Sequence, residues 1–222
     1  MSRIHFDRAY RLPLLGMDEV GCGCIAGPLV AAGVVLPDEI ECWHDLERLN
    51  VRDSKQMTES ARRRVAQFVS ESGIWYHVAT LDPWLMKKGC LFDETTRLFR
   101  RIHTAATEAH LLQTVLVDGN ERGGMTKHIG VVKGDDLSMT IAVASVMAKV
   151  WRDKFMDELS KRYGGYDWAN NKGYPTERHL TGLRARGVTR WHRAHTKPVV
   201  RALIRTDGHR RAEASGRRVR PL

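Results

Sequence analysis

Apolar residues in this chain fall into two patterns, short unbroken runs and longer stretches at helical spacing, which succeed each other along most of its length. Residues 12–18 are apolar and close on carboxylates, and 29–36 form a Val/Ala/Leu run between Pro28 and Pro37. Both predict strands, the second buried on both faces. Residues 74–80, rich in aromatic and β-branched side chains, predict a third. Between them, 58–71 sets Ala61, Val65, Phe68 and Val69 at helical spacing, with Arg62, Arg63 and Arg64 largely on the other face. A longer helix is predicted over 92–112, with Leu98, Ile102, Ala105, Ala109 and Leu112 on one side. Residues 114–118 predict a buried strand that stops at Gly119-Asn120, and 129–132 a short one leading into Lys133-Gly134-Asp135. Residues 138–163 predict a helix, apolar at its start and amphipathic afterwards. A last helix is predicted from Thr176, an N-cap candidate behind Pro175, to Gly187. No internal repeat interrupts this order.

Composition narrows the class. A chain of 222 residues suits one domain with an appendage, and its core needs no disulfide or metal staple. Lys and Arg number 36 against 26 Asp and Glu, a net charge of +10 that points to a polyanionic partner, nucleic acid above all. Cys22, Cys24, Cys42 and Cys90 contain no Cys-x-x-Cys, which excludes a zinc knuckle or thioredoxin-type motif and suits a reducing compartment. Residues 20–37 carry no charge, yet Gly21, Gly23, Gly27, Gly33, Pro28 and Pro37 make them a loop and a buried strand rather than a membrane span. Without an apolar signal segment, the chain is expected to be cytoplasmic. Residues 205–222 hold six arginines and two acids, and are expected to form a disordered tail behind a catalytic domain over 1–204. Such a tail is either a solvated terminus or an electrostatic arm for a nucleic-acid backbone. It shows no glutamine and no aromatic pair, hence no sliding-clamp peptide.

The carboxylates bring in chemistry. Asp18-Glu19 closes the first strand, Asp118 the fourth, and Asp135 follows the fifth. Strand ends are where α/β sheets build sites, and an adjacent Asp-Glu pair sends its two carboxylates in different directions. Four clustered carboxylates repel unless a cation lies among them, and oxygen ligands without His or Cys suit Mg2+ or Mn2+. Two such ions serve in-line phosphodiester hydrolysis. Each piece alone has an ordinary explanation: Asp-Gly-Asn is a common turn, and Asp18-Glu19 suits a loop cap. His192 and His195 share one face if helical, and read as substrate-side or structural rather than as metal ligands. Trp151 and Trp168 are candidates for base stacking, with core or rim packing the favoured reading. Cys22 and Cys24 as a metal or redox pair is the weakest reading.

Together these residues form a recognisable set. Gly16-Met-Asp-Glu-Val-Gly-Cys-Gly23 with Ala26-Gly-Pro-Leu-Val-Ala-Ala32 resembles the opening motif of ribonuclease HII, the type 2 ribonuclease H. Asp53-Ser54-Lys55, Val117-Asp118-Gly119-Asn120 and Lys133-Gly134-Asp135 resemble its next signatures. So do Ala144-Ser145-Val146-Met147-Ala148-Lys149-Val150 with Arg152-Asp153, and Lys172-Gly173-Tyr174-Pro175-Thr176, in family order over about 14–199.

The resemblance implies a ribonuclease H-like mixed five-stranded sheet flanked by helices, with a C-terminal helical extension. It implies a monomeric, metal-dependent endonuclease that hydrolyses the RNA strand of RNA/DNA hybrids. The same enzyme would cut 5′ of ribonucleotides in duplex DNA, leaving 3′-hydroxyl and 5′-phosphate ends. By position, Asp18, Glu19, Asp118 and Asp135 are the catalytic, metal-binding carboxylates, with Asp136 ranked lower. Gly21-Cys22-Gly23 stands where the family has Gly-Arg-Gly, which reads the ribonucleotide 2′-hydroxyl largely through backbone groups. The glycines remain and the guanidinium, a bidentate phosphate donor, is lost. Selectivity or affinity is therefore expected to weaken unless another basic residue compensates. Tyr174 matches a tyrosine that stacks on a sugar beyond the junction. Lys55, Ser145, Lys149 and Arg152 match positions near the phosphate backbone, Lys149 ranked above Arg152. The segment His192-Arg193-Ala194-His195-Thr196 departs from the family's usual His-Arg-Arg-Ser-Phe. A type 3-like hybrid-specific nuclease and a non-cleaving hybrid-binding module are the alternatives. Asp135 speaks against the first, since that type usually carries Glu there, and the full set of four carboxylates speaks against the second.

Overall fold

The computed structural model describes residues 2–110, 112–121, 124–125 and 127–214, with the side chains of 40 and 206–214 outside the description. Strands β1 (Leu14–Val20), β2 (Leu29–Val35), β3 (Trp75–Leu81), β4 (Thr114–Asp118) and β5 (Ile129–Val131) form one five-stranded sheet in the order β3-β2-β1-β4-β5. Strand β2 is antiparallel to β1 and β3, whereas β4 is parallel to β1 and β5. This is the mixed sheet that the resemblance implies. The helices are α1 (Arg3–Arg8), α2 (Ile40–Arg48), α3 (Glu59–Glu71), α4 (Leu91–Ala109), α5 (Gly134–Leu137), α6 (Met139–Arg162), α7 (Trp168–Asn171), α8 (Glu177–Arg186) and α9 (Lys197–Ala214).

The chain divides into two compact units. The first, Met1–Cys22, Leu29–Leu81 and Phe92–Arg152, contains the sheet. Alternation along β1 sorts its side chains onto two faces. Leu15 and Met17 share the face of Gly33, where an added Cβ would come within 2.2 Å of Ile102 on α4. Leu14 lies on the other face, clustered with Leu116, Val131 and Ile141. Around β2, Val30, Ala32 and Val34 pack with Trp43 and Leu46 of α2, Val65 and Val69 of α3, and Met139, Ala142, Val143 and Val146 of α6. Helix α6 therefore runs through the interior of this unit, which explains its nearly continuous apolar start.

The N-terminus of α6 is tied down by a residue far away in sequence. Asp7 of α1 is fully buried, and its Oδ2 accepts from Thr140 N at 2.8 Å and from Thr140 Oγ1 at 2.7 Å. Ser138 Oγ accepts from Ile141 N at 3.1 Å. A carboxylate here satisfies amides that the helix leaves open and complements its dipole. Burial nonetheless pushes the Asp7 carboxyl above the usual range, against the donors Ser138, Thr140 and Met139.

The second unit comprises Gly23–Pro28, Asp82–Leu91 and Asp153–Leu222. Its core has one cluster of Ala26, Met156, Leu159, Tyr166 and Trp168 and another of Ile25, Leu183 and Val199. Trp168 is thus a core residue, whereas Trp151 is partly exposed. Helix α9 reaches Ala214, so the backbone stays helical over the first ten residues of the expected tail. Arg210, Arg211, Ala212, Glu213 and Ala214 are good helix formers, which follow the weaker stretch 206–209. Residues 215–222 lie outside the described residues. Among the described residues, no helix is long and apolar enough to cross a membrane.

Candidate active site

Strand β1 does not stop at Asp18-Glu19: β2 keeps pairing with it, so Asp18 opposes Ala32, Glu19 opposes Ala31 and Val20 opposes Val30. The two carboxylates leave the strand on opposite faces, Asp18 buried and Glu19 half-buried. Parallel pairing of Gly16 with Leu116 and Met17 with Val117 carries Asp18 and Asp118 to equivalent places on neighbouring strands. Asp118 in turn pairs with Val131 of β5. After that strand the chain turns through Lys133 at φ 57° into α5, which carries Asp135. The sheet thus gathers three of the expected residues at one end, and adjacency in β1 adds the fourth.

Their mutual influence is electrostatic. Burial, then Glu19 and Asp118, push the Asp18 carboxyl well above the usual range, against hydrogen bonds from Ser145 and the Glu19 amide. Asp135 is raised by burial and by Asp118 and Asp53, with Lys55 opposing. At Lys55 burial disfavours the ammonium, but Asp18, Asp53, Asp135 and Asp118 outweigh it and hold its proton above the ordinary lysine value. A lysine therefore stands among the carboxylates, where the sequence reading expects only a contact near the phosphate backbone.

Backbone groups fix two of the acids. Asp18 Oδ1 accepts from Glu19 N at 2.7 Å, and Asp118 Oδ1 accepts from Gly134 N at 2.7 Å. Gly134 has no room for a side chain: a Cβ would lie 2.6 Å from Ile141 and 3.2 Å from Asp118 Oδ1. Ser145 is buried, hydrogen-bonded to Asp18, with its Oγ 2.9 Å from Ser54 Oγ. Its place is behind Asp18, holding it, rather than on a surface open to a substrate. Arg152 is fully buried too, while Lys149 is half-buried on the same helix.

Among the described residues, no three His, Cys, Asp or Glu side chains converge tightly enough to enclose a metal ion. The donor set still fits a hydrated hard cation. Mg2+ keeps several waters and takes one or two carboxylates plus substrate phosphates, so it needs no cage of protein atoms. Like-charged, partly desolvated carboxylates are stabilised by such an ion.

Cys22 follows Gly21, and its Sγ lies 3.5 Å from Glu19 Oε1. Cys24 is directed elsewhere, its Sγ 3.7 Å from the Lys172 carbonyl, so the two thiols engage different partners. In the second unit, Tyr174 and Gly23 come together: a Cβ on Gly23 would lie 3.4 Å from Tyr174 Cε1. The tyrosine itself is 41% exposed.

The sequence reading gives His192 as substrate-side or structural and does not pair it with His179. His192 and His195 lie between α8 and α9, outside any helix. His192 is buried against His179, their Nε2 atoms 3.3 Å apart, and both rings sit beside Tyr166 and Trp168. Nothing in the spacing of 179 and 192 signals this pairing, since a non-helical turn separates them.

The chain matches the ribonuclease HII family model over residues 15–200. A ribonuclease HII of Phocaeicola vulgatus is 38% identical over 181 residues, 80% of this chain and 86% of its own. One from Cytophaga hutchinsonii is 36% identical over 189 residues, 82% of this chain and 89% of its own. Among solved structures, the PCNA:RNase HII complex from Archaeoglobus fulgidus superposes with a TM-score of 0.68 at 22% identity, covering 84% of this chain and 96% of that one. Bst-RNase HIII in complex with Mn2+ gives 0.66 at 19% identity, covering 91% and 73%. Those structures share the fold. With its carboxylates in order on that fold, this chain belongs to the ribonuclease HII family and is a ribonuclease H-type endoribonuclease.

Proposed function

We propose that this enzyme is divalent-metal-dependent, hydrolyses the RNA strand of RNA/DNA hybrids, and cuts 5′ of ribonucleotides embedded in duplex DNA, leaving 3′-hydroxyl and 5′-phosphate ends. The observation that carries this reading is geometric: β1–β4 pairing sets Asp18 and Asp118 at equivalent places on neighbouring strands, Glu19 adjoins Asp18, and α5 behind β5 carries Asp135. Carboxylates gathered this closely form a site for positive charge. Asp18, Glu19, Asp118 and Asp135 would hold Mg2+ or Mn2+, in keeping with the Mn2+ complex of the type 3 neighbour. When bound, such ions supply activation of water and charge stabilisation at the leaving oxygen.

The chain's own residues set the geometry. The Glu19 and Gly134 amides orient Asp18 and Asp118 by occupying one oxygen of each. Lys55 contributes a positive charge to the same surface, suited to a substrate phosphate. Gly21, Cys22 and Gly23 offer backbone groups to the ribonucleotide, and Tyr174 a ring for a neighbouring sugar. Lys149 approaches the phosphate backbone, with Arg152 and Ser145 supporting from the interior. In this reading the substrates are hybrids and ribonucleotide-containing duplexes, met in the cytoplasm by a monomer.

The test is cleavage of a DNA duplex with one embedded ribonucleotide, beside a full RNA/DNA hybrid, in Mg2+ or Mn2+, with cut sites mapped. A cut on the 5′ side of the single ribonucleotide is expected. Cutting of the hybrid alone would overturn the junction specificity. Binding without cutting of either would leave only the fold.

A further inference from the structure

In the second unit, the hydrogen bonds around His179 and His192 are satisfied by one arrangement of protons. Trp168 Nε1–H, which can only donate, lies 2.9 Å from His179 Nε2. That nitrogen is therefore an acceptor, and the His179 proton sits on Nδ1, 2.8 Å from the Tyr174 carbonyl oxygen. On the other ring, the Thr189 amide donates to His192 Nδ1 at 3.0 Å, with Thr189 Oγ1 also at 3.0 Å. The His192 proton is thus on Nε2, directed at His179 Nε2, 3.3 Å away. His179 Nε2 serves two donors with one lone pair, which accounts for the longer second contact.

Neither ring has room for a second proton. One added to His179 Nε2 would face the Trp168 and His192 N–H groups, and one added to His192 Nδ1 would face the Thr189 amide. Burial, and for His192 also the neighbouring His179, holds both rings below the ordinary histidine value, His192 at about 3. Both are fully buried. An uncharged, proton-ordered pair of this kind is a fixed directional support.

What it supports is the backbone of Tyr174. The Tyr174 oxygen accepts from His179 Nδ1 and from Thr176 N at 2.9 Å, and its amide donates to Asn171 O at 2.9 Å. The preceding carbonyl, of Gly173, accepts from Ile25 N at 2.9 Å, which joins the turn to the Gly23–Pro28 segment. That segment is also bound to the stretch carrying His192: Gly27 N donates to Trp191 O at 2.8 Å, and Arg193 N to Ile25 O at 2.8 Å. Arg193 Nε adds a bond to Gly27 O at 3.1 Å. The histidine pair joins this set of bonds through the Tyr174 carbonyl and Thr189. Tyr174 is left with a pinned main chain and an exposed ring lying over Gly23.

We infer that His179 and His192 are positioning residues for substrate recognition, acting through the Tyr174 main chain to hold its ring over Gly23 for contact with the nucleic acid. This rests on the reading of Tyr174 as a substrate-contacting residue.

The test compares His179→Leu, His179→Asn and Tyr174→Ala, singly and with His179→Leu added to Tyr174→Ala, on the duplex with one embedded ribonucleotide. His179→Leu is expected to raise KM about tenfold with kcat nearly unchanged, the scale of one lost hydrogen bond to a backbone carbonyl. His179→Asn keeps a donor near the Nδ1 position and is expected to recover most of that loss. In the Tyr174→Ala background, His179→Leu is expected to add nothing to KM. Equal KM for wild type and a folded His179→Leu, with Tyr174→Ala impaired, overturns the inference alone. An unimpaired Tyr174→Ala overturns the reading of Tyr174 beneath it. Leucine outperforming asparagine would show that the ring only fills space, and would also overturn it. If His179→Leu fails to fold, imidazole nitrogen NMR of the wild type at pH 7 decides. Two neutral rings are expected, His179 protonated on Nδ1 and His192 on Nε2; a charged ring or matching tautomers would overturn the proposal.

Discussion

Gly16 of β1 lies directly beneath Ile141 of α6: a Cβ on the glycine would be 2.7 Å from the Ile141 amide nitrogen. Ser145 follows Ile141 by one helical turn, and Asp18 follows Gly16 by two residues of strand. These steps are of similar length, about 6 Å along a helix and about 6.6 Å along a strand. The close crossing at Gly16 therefore brings Ser145 to Asp18. Gly16→Ala is expected to force α6 outward, lowering stability by about 1–3 kcal/mol and Tm by roughly 3–10 °C. Turnover should fall at temperatures where the variant is still folded, because Asp18 loses its Ser145 donor. A thermal melt with unchanged Tm and full activity would show that the interface relaxes freely.

Asp118→Asn separates charge from shape. The asparagine oxygen can still accept from Gly134 N, so the turn into α5 is retained. The charge that raises Asp18 and Asp135 is removed, which relieves repulsion and should raise Tm. Turnover should fall by about 100-fold or more, the scale of losing one charge-stabilising group. Binding of the same duplex should persist or tighten, since a negative charge facing phosphates is gone. Full turnover by the variant would remove Asp118 from the catalytic set.

Cys22 stands 3.5 Å from Glu19, in the segment proposed to meet the ribonucleotide. A thiol offers a phosphate almost nothing, whereas a guanidinium offers two charge-assisted hydrogen bonds. Cys22→Arg is expected to tighten binding of the single-ribonucleotide duplex about tenfold and sharpen cutting at the junction. Fluorescence anisotropy and mapped cleavage read the two effects. Unchanged affinity and junction preference would show that another basic residue already fills this role.

Which parts of this molecule were legible in the sequence follows from the range of the interactions involved. The strands announce themselves because buried runs such as 29–36 are local patterns, and the helix from Thr176 because its cap is local: Thr176 Oγ1 accepts from His179 N. Short helices α1 and α2 are carried by a few tertiary contacts, Asp7 on Thr140 and Trp43 and Leu46 in the core, and give too little periodicity to read. The extension of β1 past Asp18-Glu19 depends on pairing with β2, which a run closing on two carboxylates hides. Motif order alone singles out the four carboxylates that the resemblance implies. The interior places of Ser145 and Arg152, and the joining of His179 to His192, depend on packing that no spacing encodes.

The buried histidine pair gives stability a pH dependence of definite sign. His192 has its proton affinity lowered from the ordinary 6.5 to about 3 in the folded chain. Between those values the unfolded chain binds a proton that the folded chain refuses, so acid favours unfolding. One such group costs on the order of 1.4 kcal/mol per pH unit below 6.5 until its folded value is reached. Asp7 works the other way: with its carboxyl raised, the folded chain holds that proton more tightly, and acid stabilises it. The net profile of the wild type therefore mixes opposite signs, and the informative quantity is a difference. His192→Gln removes one titrating ring and leaves Asp7 in place. The variant is expected to be less stable than the wild type at pH 7, for want of the bonds to Thr189 and His179. As the pH falls to 4.5, the wild type pays a protonation cost that the variant does not, so the gap in Tm should narrow. A gap that stays constant from pH 7 to 4.5 would mean that His192 takes up its proton in the folded state as readily as in the unfolded one, and that the pair is not held neutral.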